Sequence, residues 1–402
     1  MSTRGLSTAR LARMHDVMAG HVERSDMPGI VTLVSRRDEV HVGALGMKAI
    51  GGSELMRRDT IFRIASVTKP ILAAAAMILV EECTLRLDEP VDRLLPELAD
   101  RRVLRAIDSA LDDTLPANRP ITLRDLLTFR LGIGAVMVFP PRYPIQQAMA
   151  EAGVAPGPTL PAHAPDELMK RFGSLPLVHQ PGEGWLYDSG SDILGVLISR
   201  VAGTSLEEFL RERIFAPLSM NDTSFSVPEI KLDRLASSYW TNPSTGEFEV
   251  FDGVDDDSRW ASPPVFESGA GGLVSTVDDL LAFGQMMLKG GKHGDQRILS
   301  RRSVELMTTD HITPEQKAVS EFSPGFWDSH GWGFGVSIVT RRDDLAATPG
   351  RYGWDGGYGT SWYVDPKEEL VGILMTQRVW DASGPPVVLL DFWTSAYGAI
   401  DD

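Results

Sequence analysis

The sequence holds a single cysteine, Cys83, among 402 residues. One cysteine excludes an internal disulfide and a cysteine-built zinc cage. Within VEECTLRLD it reads as a small core or surface residue. Positive charge is also short. Lysine and arginine number 39 against 55 aspartates and glutamates, a net charge of −16. That excludes the broad basic face a nucleic-acid binder presents to phosphates. No long apolar run is present either. The longest, Ile71 to Val80, spans ten residues, too few to cross a bilayer. The first residues, MSTRGLSTARLARMHDVM, lack the apolar segment of a secretory signal. A cytoplasmic location is therefore expected, with neither a membrane nor a nucleic acid as partner.

What is present is ordinary globular material. The hydrophobic fraction of 43% and the charged fraction of 23% fit a water-soluble domain. The length exceeds one usual core, which predicts two domains or one core carrying a large insertion. Leu11, Met14, Met18 and Val22 recur at helical spacing. Residues 29–46 read as a β-hairpin with Arg37-Asp38 near its turn. From about 86 to 265 helical periodicity dominates between proline and glycine loops. Residues 132–165 hold seven prolines and read as one long loop. After about 270 come a helix, the strands GWGFGVSIVTR, YGTSWYVDP and LVGILMTQR, and a last helix, PPVVLLDFWTSAYGAI. The expected fold class is α+β: an antiparallel sheet built from residues 1–85 and 266–402, flanked by helices, with a mainly helical 86–265 inserted. The triplet Asp255-Asp256-Asp257 lacks calcium-loop spacing and reads as a solvated loop.

The chemistry starts at RIASVTKPILAAAAM, residues 63–77. Proline without an N–H belongs in the first turn of a helix, so Pro70 places the helix start near Ser66. Residues three apart share a helix face, which brings the Ser66 hydroxyl beside the Lys69 amine. Both would sit at the positive end of the helix dipole. That favours a developing oxyanion and disfavours an ammonium, so a partly desolvated Lys69 can lose its proton and take one from serine. The bland alternative is a serine helix cap followed by a surface lysine.

Two further stretches bear on that choice. GEGWLYDSGSDILGVLISRVAG places Tyr187 in a turn just before a helix. RYGWDGGYGTSWYVDP sets Gly356 and Gly357 before a strand, where the missing side chains permit close backbone approach. An edge N–H there can serve as half of an oxyanion hole. The loop 132–147 with Trp354, Tyr358 and Trp362 supplies candidates for an apolar pocket, although alternating aromatics in a strand also pack sheets.

Together these stretches resemble the serine beta-lactamase-like superfamily of penicillin-recognising enzymes, and most nearly its class C-like branch of esterases and D-peptidases. FRIASVTKPILAAAAM is similar to that family's S-x-x-K helix, WLYDSGSDILGVLISRVAG to its tyrosine motif and following helix, and GWDGGYGTSWYVDP to its last catalytic strand region. The resemblance implies an antiparallel sheet with flanking helices, an all-helical domain, and a site in the cleft between them. It also implies roles: Ser66 as nucleophile, Lys69 holding or taking its proton, Tyr187 acting with Lys69 as base, and the N–H groups of Ser66 and Gly357 as oxyanion hole. No cofactor and no metal is implied, and the partner is a small ester or amide.

Two departures matter. Ser189 stands where the tyrosine motif usually has asparagine, and its hydroxyl has a shorter reach. The usual Lys-Thr-Gly or His-Thr-Gly reads Trp354-Asp355-Gly356, and tryptophan cannot bind a substrate carboxylate as a cation does. A tryptophan here resembles the family's esterases, so small hydrophobic esters are expected in preference to beta-lactams or D-peptides, with Arg351 near enough to restore a cation. A Ser-His-Asp hydrolase would need a histidine base, and no G-x-S-x-G elbow occurs. A metal enzyme would need clustered ligands, and His15 and His21 fall on different helix faces. A binding protein on the same fold remains a further alternative, distinguished by whether an acyl adduct forms on Ser66.

Overall fold

The computed structural model describes residues 5–37, 39–254, 258–320, 322–380 and 385–402. Asp38 and the triplet Asp255-Asp256-Asp257 lie outside the described residues. We label only the elements that shape the site. They are α1 (Thr8–Glu23), β1 (Gly29–Arg36), β2 (Glu39–Gly46), α2 (Thr68–Glu81), α3 (Ser189–Ala202), α4 (Val277–Leu288), β3 (His330–Trp332), β4 (Ser337–Val339), β5 (Tyr352–Gly356), β6 (Thr360–Asp365), β7 (Leu370–Thr376) and α5 (Val387–Gly398).

A seven-stranded sheet runs in the order β3-β4-β5-β6-β7-β1-β2, and every neighbouring pair is antiparallel. The hairpin expected at 29–46 forms, pairing Gly29 with Gly46 at one end and Arg36 with Glu39 at the other. Its strand β1 is buried along its whole length, because helices cover both faces of the sheet. Ile30 and Val34 pack with Leu374, Leu11, Met14, Met18, Phe392 and Trp393 on the side of α1 and α5. Val31 and Leu33 alternate to the other face, with Ile71, Phe283 and Ile373. That second core continues into the helical region through Leu126, Ile193 and Phe215.

One detail differs from the sequence reading. The proline-rich stretch 132–165 is not loop throughout, since Pro144–Glu151 is a helix with Pro144 in its first turn. Ring closure pre-sets φ there, so the same residue that suggests a loop also starts a helix. Cys83 is exposed. Among the described residues no helix is long and apolar enough to cross a membrane.

One feature of the sheet prepares the site. Strand β4 pairs with β5 only at Ser337–Gly353 and Ile338–Tyr352. Past that point the β5 edge from Trp354 to Gly356 is free of β4, while its other edge stays paired with Ser361, Trp362 and Thr360 of β6.

Candidate active site

Ser66 lies in a single 3-10 turn, Ala65–Val67, that leads into α2. Ala65 adopts φ +45°, a left-handed conformation that costs energy for a residue with a side chain and often marks a functional turn. Ser66 does not cap the helix: the N-cap is Val67 and makes no side-chain bond. The cap alternative is therefore not what the serine does.

The segment before Ser66 is pressed against β5. Ile64 receives a hydrogen bond from the Thr360 hydroxyl at 2.9 Å. A Cβ placed on Gly356 would stand 2.3 Å from the Ile64 carbonyl oxygen, so only glycine permits this approach. The next residue, Gly357, lines the same space as Ser66. Its carbonyl accepts from Trp380 N at 2.8 Å.

Lys69 is 1% exposed, and its ammonium meets three acceptors: Ser66 Oγ at 2.8 Å, Asp188 Oδ1 at 2.6 Å and the Ala270 carbonyl at 2.6 Å. Three donors meet three acceptors, so the charged form is fully satisfied. Burial alone would lower the Lys69 pKa, but the Asp188 carboxylate and Tyr187 outweigh it and the net shift is upward. Of the two roles left open for Lys69, holding or taking the serine proton, these contacts favour the charged form that holds it. The helix dipole opposes the charge, yet a carboxylate in direct contact is the stronger influence.

Tyr187 ends the turn before α3, with Lys69 Nζ 4.6 Å from its ring centroid. Its hydroxyl oxygen accepts a hydrogen bond from Trp354 Nε1 at 2.5 Å. The ring is held by Phe129, Trp185, Phe322, Trp332 and Trp354, with centroids 5.4–6.1 Å away. Burial pushes the phenol above its usual pKa, while the Lys69 charge and hydrogen bonding by Ser66 and Trp354 pull it down. Behind it, Asp192 of α3 accepts from Ser268 Oγ at 2.7 Å and Ala270 N at 3.0 Å. Burial and the neighbouring Asp188 charge push Asp192 up to about 6. Asp192 thus fixes the segment whose Ala270 carbonyl holds Lys69.

Ser66, Tyr187, Ser189, Trp354 and Gly357 line two adjoining cavities of about 270 Å³ and 520 Å³, with Lys69 buried behind Ser66. Ser66, Met137, Tyr187, Gly357 and Trp380 line both. Ser189 borders the smaller cavity and its buried hydroxyl has no hydrogen-bond partner. Tyr358 also lines the smaller cavity, and Met137 and Phe139 of the predicted loop stand at its wall. Trp354 lines the larger one. Trp362 does not belong to the site: it is fully buried, donates to the Leu280 carbonyl at 3.1 Å and packs on Phe283. Arg351 lines the larger cavity together with Trp354, and its Nε and Nη2 have no hydrogen-bond partner among the described residues. Its guanidinium is 4.0 Å from the ring centroids of both Tyr363 and Trp393, and it donates to the Ala346 carbonyl at 3.1 Å.

Sequence reasoning missed Asp188 and Asp192. A signal for Asp188 was present, an acidic residue directly between the tyrosine and the helix, but it reads locally as a helix-start residue. Asp192 contacts Ser268 across 76 positions of chain, which no local pattern reveals.

An uncharacterised protein of Mycobacterium tuberculosis is 37% identical over 89% of this chain and 87% of its own length. Esterase EstB of Burkholderia gladioli is 29% identical over 94% of this chain and 93% of its own. The solved structure of EstCE1, described as a hydrolase with promiscuous acyltransferase activity, superposes with a TM-score of 0.79 at 24% identity, covering 97% of this chain and 99% of that one. The beta-lactamase family model matches residues 14–385, and the chain belongs to the beta-lactamase family.

Proposed function

We propose that the chain is a serine carboxylesterase acting through an acyl-enzyme on Ser66. The observation that carries this reading is the Ser66–Lys69–Tyr187 cluster at the junction of two largely apolar cavities, with an indole in place of a cation at Trp354. A largely apolar cavity with an indole at the position where the family commonly has a cation suits a neutral ester better than a substrate bearing a carboxylate. The esterase name of the Burkholderia relative supports the same choice.

The proposed steps follow from the donors and acceptors. Lys69, as an ammonium with every N–H engaged, has no lone pair to offer. Tyr187, once deprotonated, is the base. Its phenolate is favoured by the Lys69 charge and the Trp354 N–H. Ser66 Oγ attacks the ester carbonyl carbon while its proton passes to Tyr187. The oxyanion is met by the N–H groups of Ser66 and Gly357. Tyr187 then gives the proton to the leaving alkoxide, and in the second half takes one from the attacking water and returns it to Ser66 Oγ as the acyl–serine bond breaks and the acid leaves. An alcohol held in the second cavity can replace that water, which makes acyl transfer a second reading of the same site.

The test is hydrolysis of p-nitrophenyl acetate, butyrate and octanoate by the wild type and by Ser66→Ala, beside a chromogenic cephalosporin. Ser66-dependent release from the esters with little from the cephalosporin supports the reading. Cephalosporin turnover above ester turnover replaces it with a beta-lactamase or D-peptidase. Absence of any Ser66-dependent release sends the question to D-amino-acid amides or to a binding role.

A further inference from the structure

The backbone at Asp188 is unusual. It has φ +85° and ψ −69°, and the flanking Tyr187 carbonyl accepts from Ser189 N at 3.2 Å. These are the features of the rarer, strained γ-turn. Strain of this kind persists where the surroundings impose it, and it clusters at functional sites. Here it turns the Asp188 carboxylate back onto Lys69, with Oδ1 2.6 Å from Nζ, in a pair whose side chains are 0% and 17% exposed. The serine that departs from the family's tyrosine motif, Ser189, makes no bond to Lys69, and its hydroxyl is unpartnered. The residue before it supplies the contact.

We propose that Asp188 is a positioning residue: its carboxylate fixes Lys69 as a buried cation against Ser66 and so sets the pH range in which Tyr187 can take the serine proton. The inference rests on the acyl-enzyme reading of Ser66. The titratable groups that respond to Asp188 are Lys69 from α2, Tyr187 in its own turn, Asp192 one helical turn on and Tyr358 from the β5–β6 connection. The Ser268–Gly271 segment contributes a carbonyl and a hydroxyl, and Trp354 an uncharged N–H. With Asp188 charged, the resting site of ammonium, carboxylate and phenol is neutral. Removing that carboxylate leaves it at +1 and makes the first proton easier to lose.

The experiment reads covalent labelling of Ser66 by a fluorophosphonate as a function of pH, which requires no knowledge of the natural ester. In this reaction the Ser66 Oγ–P bond forms, the P–F bond breaks, fluoride leaves and the serine proton passes to Tyr187. Asp188→Asn should move the alkaline onset of labelling to lower pH by about one unit or more, the size expected when a contacting charge is removed. Asp188→Glu, which keeps the charge, should leave the onset near that of the wild type. Asp188→Gly supplies a second charge-free variant whose backbone accepts positive φ without strain, and it should shift the onset as Asn does. Superimposed wild-type, Asn and Gly profiles, or a shift to higher pH, would overturn the proposal. Failure of the wild type to label at Ser66 would instead overturn the acyl-enzyme reading, and this inference with it.

Discussion

The Trp354 indole N–H and the Tyr187 hydroxyl oxygen are joined by a 2.5 Å hydrogen bond that links the free edge of β5 to the turn before α3. An indole N–H can only donate, so the tyrosine oxygen is an acceptor in this bond and keeps its own proton available to another group. Trp354→Phe removes the donor and retains a ring. A hydrogen bond to a charged partner is worth about 1.5–3 kcal/mol, so kcat on p-nitrophenyl butyrate should fall roughly 10-fold or more. Steady-state kinetics check this, with KM expected to move little because the phenyl ring still lines the cavity.

Tyr187→Phe should cost about 10²-fold or more in kcat/KM, as for loss of a general base, and Ser66→Ala should abolish turnover. Both proteins should melt near the wild-type temperature. A Tyr187→Phe enzyme with undiminished kcat would take the phenol out of the reaction.

The pH dependence follows from the direction of the shifts. Lys69 and Tyr187 are both held above their ordinary values, so the active, singly deprotonated cluster becomes more abundant as pH rises. kcat/KM should therefore climb from pH 7 into the alkaline range with no inflection belonging to a histidine. A plateau reached below pH 7 would contradict the tyrosine base.

Gly356→Ala puts a methyl group 2.3 Å from the Ile64 carbonyl oxygen and 2.2 Å from Thr360 Oγ1. Backbone must shift to admit it, at a cost of about 1–3 kcal/mol. Because the shift separates Ser66 from Gly357, acylation should slow by more than the loss of stability explains. Rapid-mixing measurement of the p-nitrophenol burst, beside a thermal melt, separates the two effects.

Asp279 of α4 tests burial away from the site. It accepts from Asp222 N and from the Thr223 hydroxyl, both at 2.8 Å, and burial pushes it up to about 6. A carboxyl whose folded pKa is raised binds more protons folded than unfolded. Its contribution is therefore favourable at low pH and is lost as pH rises from about 4 through 6. Asp279→Asn keeps the acceptor oxygen and removes the charge. Relative to wild type it should gain on the order of 2 kcal/mol between pH 4.5 and 7, read from urea unfolding at the two pH values.

Much of this was legible in the sequence because the informative contacts are local. Pro70 and the three-residue step from Ser66 to Lys69 define a helix start, and the hairpin at 29–46 declares itself by alternation and a turn. The state of Lys69 was not legible, since the Asp188 carboxylate that decides it arrives from 119 positions away. Nor could alternation separate Trp354 from Trp362. They are direct cross-strand partners on one face, and what distinguishes them is whether α4 or open space lies above. Sheet-forming aromatics and pocket aromatics share the same period.

The two cavities that share Ser66 have a kinetic consequence. An acyl group parked on one serine faces a race between whatever remains in the neighbouring chamber and the water that replaces it. Lengthening the alcohol slows its exit and returns acyl groups to ester. Shortening it clears the chamber and commits them to acid. On the proposed acyl-enzyme reading, the ratio of transfer to hydrolysis should follow residence beside Met137 and Trp380, which line both cavities, rather than any change at the nucleophile.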